Sequence, residues 1–289
     1  ILYCDAYITI LAQSQRRGST FDSDPIPTRF RPYPMPANPP RHSIDVSEDA
    51  GVRYLHFGSE WVQGAMRIRR PYALELAYTR ELMAGLLLHD APWPKRALLI
   101  GLGAGSLAKF IWRHLPQTKT TVVEINPQVP MAARQFFKLP DEDERLQIRI
   151  GDGAEFVIRD RHRYDLILVD GFDHHARAGV LDTAAFYVNC RARLAPQGVF
   201  AANLFGRSRG FKASIARIDA SFDGRSMVFP SLDSGNAIAL AVDGDPLAVS
   251  LKELRDRAAA LKAETGLDLA PTITRLQLAK SLPGETLRL

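Results

Sequence analysis

A glycine-rich turn and a series of carboxylates recur at the ends of successive apolar runs in the middle of this 289-residue chain. The turn is "GLGAG", in which Gly101, Gly103 and Gly105 surround Ala104 and allow a backbone to come close to a ligand. Glu124 follows in "TVVEINP", 23 residues beyond Gly101, where a carboxylate can accept both hydroxyls of a ribose. Asp152 stands in "IGDGAEF", followed by Gly153 and Ala154, and is placed to accept from an exocyclic adenine amine. Asp170 and Asp173 close the series in "LVDGFD". Carboxylates are seldom buried without partners, so this pattern indicates a nucleoside-type ligand more than packing. A dinucleotide favours a further glycine at the start of the helix, beside its pyrophosphate. Here Ser106 and Leu107 follow Gly105, and "GDG" precedes a helix, which favours a ligand of the S-adenosylmethionine type. For Asp170 and Asp173 a second reading stays open, that they cap the next turn.

These residues need a scaffold that brings strand ends together. From Arg96 the pattern alternates strand and helix: strands at "RALLIG", "KTTVVEI", "LQIRIGDG", "YDLILVDGF" and "GVFAANLF", with helices between them. Such alternation predicts an α/β fold, a Rossmann-like doubly wound parallel sheet that binds its ligand outside the carboxyl ends of its strands. Three short alternating runs, "SIDVS", "VRYLHF" and "VQGAMRI", predict a small antiparallel β-domain ahead of it, and helical spacing marks Tyr72 to His89. After the fifth strand the pattern predicts a helix over Phe211 to Phe222, strands at "RSMVFP" and "NAIALAV", and a helix through "PLAVSLKELRDRAAALKAET". Seven prolines between Pro25 and Pro40 remove backbone donors and mark an extended arm. The resulting division is an extension over 1–40, a β-domain over 41–71 and a cofactor-binding catalytic domain over 72–289.

Composition narrows the function classes. Hydrophobic residues at 46%, charged residues at 24% and a net charge of +5 describe an ordinary soluble protein, and the cations are dispersed, so no nucleic-acid partner is expected. Cys4 and Cys190 lie in unlike contexts without metal-ligand spacing, which fits a reducing cytoplasm and no metal. His174 and His175 are adjacent and lack further ligands, so His174 is read as a contact or base beside Asp173. "ILYCDAYITILAQ" is too short for a membrane span, and no membrane partner is expected; a trimmed signal segment and a plain extension are both open readings.

The set "ALLIGLGAGS", "VVEINP", "IGDGAEFV", "YDLILVDGFD" and "FYVNCRARLAPQGVF" resembles the spermidine and spermine synthase family, the polyamine aminopropyltransferases. Gln63 in "WVQGAMRI" and Glu81 in "YTRELM" belong to it more loosely. The resemblance implies a β-domain before a Rossmann-like domain, a decarboxylated S-adenosylmethionine cofactor, a polyamine acceptor and a homodimer. It implies that Gly101, Gly103, Ala104, Gly105, Gln63, Glu124, Asp152, Gly153 and Ala154 hold the cofactor. By the same resemblance Asp170 is the base, Asp173 holds a second ammonium, and Glu81 contacts the acceptor. Three positions depart from the family pattern. Ala104 replaces an aspartate that would meet the aminopropyl ammonium. The family's Tyr-His-Glu is read here as Thr79, Arg80 and Glu81. A proline-containing gate is replaced by "HHARAG".

Aminopropyl transfer to a polyamine amine is thus the first expectation. Ala104 would tolerate the carboxylate of intact S-adenosylmethionine, and Arg80 would disfavour a cationic acceptor, so a methyltransferase on the same scaffold is the second. A catalytically silent nucleoside-binding homologue is the third.

Overall fold

A computed structural model describes residues 44–58, 61–171, 178–206, 210–232 and 235–289. The first three strands, β1 (Ile44–Asp49), β2 (Val52–Phe57) and β3 (Val62–Arg67), form an antiparallel sheet in that order. Ala50 and Gly51 both have positive φ, the conformation of the tight hairpin turn that suits the twist of two adjacent strands. Between β2 and β3 the pairing slips: Leu55 faces Gly64 while His56 faces Val62. Gln63 is therefore the extra residue of a β-bulge, a device that re-aims a strand.

Five strands then pair in parallel: β4 (Arg96–Ile100), β5 (Lys119–Glu124), β6 (Leu146–Ile150), β7 (Tyr164–Val169) and β8 (Leu194–Phe205). The helices after them are α2 (Ser106–His114), α3 (Gln128–Phe137), α4 (Gly153–Arg159) and α5 (Ala184–Ala192). After α6 (Phe211–Ser221), β9 (Ser226–Pro230) and β10 (Asn236–Val242) extend the sheet antiparallel, in the order β6-β5-β4-β7-β8-β10-β9. The runs "ALLI" and "LILV" are apolar at consecutive positions because helices cover both faces of the central strands, and Leu98, Leu99, Ile167 and Leu168 are buried. Chain order reverses between β4 and β7, and the carboxyl ends of both strands open toward the same side, so the expected α/β architecture is present with its ligand edge defined.

The helix expected over Tyr72 to His89 is shorter and changes type. It consists of α1 (Ala77–Leu82) followed by a 3-10 turn over Met83–Leu88. All six residues of that turn are buried, and a Cβ on Gly85 would lie 3.0 Å from Val199 Cγ1. Close packing on β8 sets the backbone there in place of local helical propensity. The helix predicted to begin at Pro246 starts later, as α7 (Leu251–Thr265), and is fixed by reciprocal capping between Ser250 and Glu253. Beyond it lie α8 (Ala270–Leu278) and a two-stranded sheet of β11 (Ala248–Ser250) and β12 (Thr286–Arg288), for which no hydrophobic period gives a signal. Among the described residues no helix is long and apolar enough to cross a membrane.

Candidate active site

The glycine turn sits between three strand ends. Asp170 N–H donates to Ile100 O at 2.9 Å, and Gly101 N–H donates to Val123 O at 2.9 Å, so the turn is tied to both neighbours of β4. Gly101 has φ +97°, and a Cβ there would stand 2.1 Å from Asp170 O. A side chain at 101 would thus push the end of β7 away, which is why the approach needs glycine. Gly105, with φ +70°, caps α2, and Gly153 lets α4 begin directly against Ile100.

Glu124 ends β5 inside this frame. Its Oε2 accepts from Leu102 N at 2.9 Å and its Oε1 from Asn126 N at 2.9 Å. Burial pushes its carboxyl above the ordinary range, and the N–H groups of Asn126, Leu102, Ile125 and Gly103 counter that push. The carboxylate thereby braces the glycine turn. Asp152 caps α4: its Oδ1 accepts from Ala154 N at 2.7 Å and Glu155 N at 3.2 Å. Both bonds fall on Oδ1, so the cap leaves the other oxygen outside the helix bonding.

Asp170 follows β7, partly buried, and its Oδ1 accepts from Asn203 Nδ2 at 2.9 Å. The Tyr78 hydroxyl donates to it as well. Burial raises the Asp170 carboxyl, and the bonds from Asn203 and Tyr78 lower it again in part. Burial likewise drives the Tyr78 phenol well up, and the neighbouring carboxylate adds to that. Tyr78 therefore stays protonated and acts as donor. Asn203 is 5% exposed, and its buried Oδ1 has no hydrogen-bond partner among the described residues. Asn203 lies in the strand run "GVFAANLF" and Tyr78 in "YTRELM", but nothing in either run singles out these two residues as partners of Asp170.

The small sheet covers the glycine turn. Ala104 is 2% exposed and packs with Leu55, Met66 and Phe137, and an added Cβ on Gly64 would meet Ala104 Cβ at 2.6 Å. The Gln63 carbonyl lies against Gly103, where an added Cβ would be 2.8 Å from it. The Ala104 methyl thus faces β3, not open space.

Several expected placements change. Tyr78 of α1, one residue before the Thr79 read as the family's tyrosine, is the residue that contacts Asp170 after β7. Thr79 donates instead to Leu76 O at 2.7 Å. Arg80 does not line the recess: its Nη1 donates to Leu74 O at 3.1 Å and Glu75 O at 2.6 Å, which occupies the guanidinium on its own helix start. Glu81 is buried in an ion pair with Arg275 of α8, and Arg275 also donates to Pro230 O at 2.9 Å. Asp173 and His174 lie outside the described residues.

A mostly parallel sheet with a glycine turn, a buried glutamate and a braced aspartate at its carboxyl edge is the architecture of a Rossmann-type transferase. The family model for the spermine/spermidine synthase domain matches residues 75–205. A polyamine aminopropyltransferase of Chromobacterium violaceum is 38% identical over 86% of this chain and 94% of its own length. The chain belongs to the spermine/spermidine synthase family and is a transferase. Among solved structures, spermidine synthase in complex with the transition-state analogue AdoDATO has a TM-score of 0.55 at 26% identity, over 70% of this chain and 74% of that one. Human methyltransferase-like protein 13 in complex with SAH has a TM-score of 0.58 at 26% identity, over 65% of this chain and 92% of that one.

Proposed function

We propose that the protein transfers an aminopropyl group from decarboxylated S-adenosylmethionine to an amine of a polyamine, with Asp170 as the base. The observation that carries this reading is the Tyr78–Asp170–Asn203 arrangement beside the glycine turn. A protonated amine is no nucleophile, and a carboxylate whose affinity for protons is raised by burial is better matched to deprotonating it near neutral pH. Tyr78 and Asn203 hold that carboxylate in one orientation, and Asn203 Oδ1 remains as an acceptor for a second N–H of the amine.

When bound, the cofactor supplies a sulfonium-activated methylene carbon as the electrophile. The residues around it fit an adenosyl group: Glu124 receives the ribose hydroxyls, Asp152 the adenine amine, and Gly153 and Ala154 lie beside the base. Gly101, Gly103 and Gly105 admit the cofactor against the backbone, and Gln63 closes over them. Asp170 first takes a proton from the ammonium, which frees the nitrogen lone pair; the nitrogen–carbon bond would then form as the carbon–sulfur bond breaks, the thioether departing with both bonding electrons. Two features that would favour intact S-adenosylmethionine lose their weight here, because the Ala104 methyl packs on Gly64 and the Arg80 guanidinium is bonded to Leu74 and Glu75.

Calorimetric titration with intact and decarboxylated S-adenosylmethionine, followed by product analysis with a linear diamine, tests the reading. The expected result is tighter binding of the decarboxylated form and an alkylated diamine. Tighter binding of the intact form with a methylated product would overturn it.

A further inference from the structure

We propose that Trp61 and Phe205 form an aromatic wall that receives the aliphatic body of the acceptor and discriminates among acceptors by length; this rests on the amine-alkylating reading above. β7 lies between β4 and β8, and neighbouring strands are about 4.8 Å apart, so the ends of β4 and β8 are separated by about 10 Å. The first residues leading into β3 cross that distance. Trp61 packs edge to face on Phe205 at the end of β8, with ring centroids 6.0 Å apart and planes at 85°. Three residues later Gly64 lies against Ala104, after β4. Three residues of extended chain cover about 10 Å, so this segment passes over the end of β7, where Asp170 stands.

Phe205 shares a face of β8 with Asn203, whose side chain reaches Asp170. The bulge at Gln63 releases Trp61 from the regular pairing of β2 and β3. Trp61 remains 54% exposed despite its ring contact. An edge-to-face pair uses only one of its ring faces, and the others stay available to a ligand. A surface of that kind suits methylene groups, and its electron-rich faces attract a distal ammonium. Asp170 and Asn203 would thus hold the reacting nitrogen while the wall measures the length of the carbon chain attached to it.

The test compares wild type with Trp61→Ala and Trp61→Phe on linear diamines of increasing length, at saturating cofactor. Trp61→Ala should raise the acceptor KM on the order of tenfold for long diamines and less for short ones, consistent with a cation–aromatic contact. Its kcat and cofactor KM should stay within about twofold, as expected for a contact made equally in ground and transition states. Trp61→Phe should restore most of the loss. An unchanged acceptor KM, or an equal rise in the cofactor KM, overturns the wall. Diamine titration followed by tryptophan fluorescence separates this proposal from the assigned reaction. Trp93 stacks on His89 and Trp112 bonds to Asp143, so a signal present in wild type and absent in Trp61→Phe belongs to Trp61. Such a signal without any alkylated product leaves the wall standing and overturns the reaction; no Trp61-dependent signal overturns the wall whatever the turnover.

Discussion

Glu124 and Asp170 end two parallel strands on either side of β4, and burial raises both carboxyls, yet they are held by different kinds of donor. Glu124 is surrounded by backbone N–H groups of the turn it braces. Asp170 is held by two side chains, Tyr78 and Asn203, from elements far away in the chain. Backbone donors are fixed in place, never titrate and are removed only by a substitution to proline, so they suit a residue that frames a ligand. Side-chain donors can tune proton affinity and can be altered singly, so they suit a residue that exchanges a proton.

Deleting the charge at Asp170 should therefore have the largest effect. Asp170→Asn is expected to lower kcat by about a thousandfold, within the range for loss of a general base. Calorimetry should find cofactor affinity nearly unchanged, and an active Asn variant would refute the assignment. The stability effect has the opposite sign. A carboxyl raised by folding stays protonated in the folded state when the unfolded chain has already ionised, so it costs stability as pH rises from the ordinary carboxylate range through the raised value. Thermal unfolding of Asp170→Asn at neutral pH should thus occur at the same temperature as wild type or higher.

Glu124→Gln should behave in the reverse manner. The amide presents N–H groups to backbone donors of the turn, and one unmade buried bond costs about 1–3 kcal/mol. A lower melting temperature and a cofactor Kd weakened about tenfold or more are expected; a loss of kcat with normal cofactor affinity would erase the distinction between the two sites.

Tyr78→Phe gives a subtler contrast. Its hydroxyl stabilises ionised Asp170, so removing it should move the acidic limb of the kcat/KM profile to higher pH, with a drop of about tenfold at neutral pH. A limb that stays in place would mean that Tyr78 does not act through Asp170. The smallest effect is expected at Arg80. Arg80→Gln should leave acceptor KM within about twofold, because the guanidinium is bonded to Leu74 and Glu75 carbonyls. A markedly lower acceptor KM in this variant would return Arg80 to the recess.

Much of the fold is legible in the sequence because the signals for it are local. Apolar runs bounded by glycine or proline mark strands, and the alternation of strand and helix makes the central strands parallel, which gathers their carboxyl ends on one edge. Glu124, Asp152 and Asp170 are readable for the same reason: each is the first acidic residue after such a run. Other features are local in appearance only. The helix before β4 breaks into α1 and a 3-10 turn because it packs on β8, more than a hundred residues later in the chain. That Tyr78 meets Asp170 is likewise not legible, since helical spacing without a partner does not say which side chain faces β7.

Ala104 illustrates the division most plainly. Its identity as a small residue in a glycine turn is a property of the sequence, and so are the strand-end carboxylates, because chain topology alone delivers them to one edge. Its role is not. Whether a methyl at that position meets a ligand or a neighbouring backbone depends on β3, which reaches it through the bulge at Gln63 and sets Gly64 against it. The same holds for the donors to Asp170. Tyr78 and Asn203 are separated from it by long stretches of chain, and only the packing of α1 and β8 around β7 decides that they meet there, since close packing admits one set of neighbours and local sequence preference does not encode it.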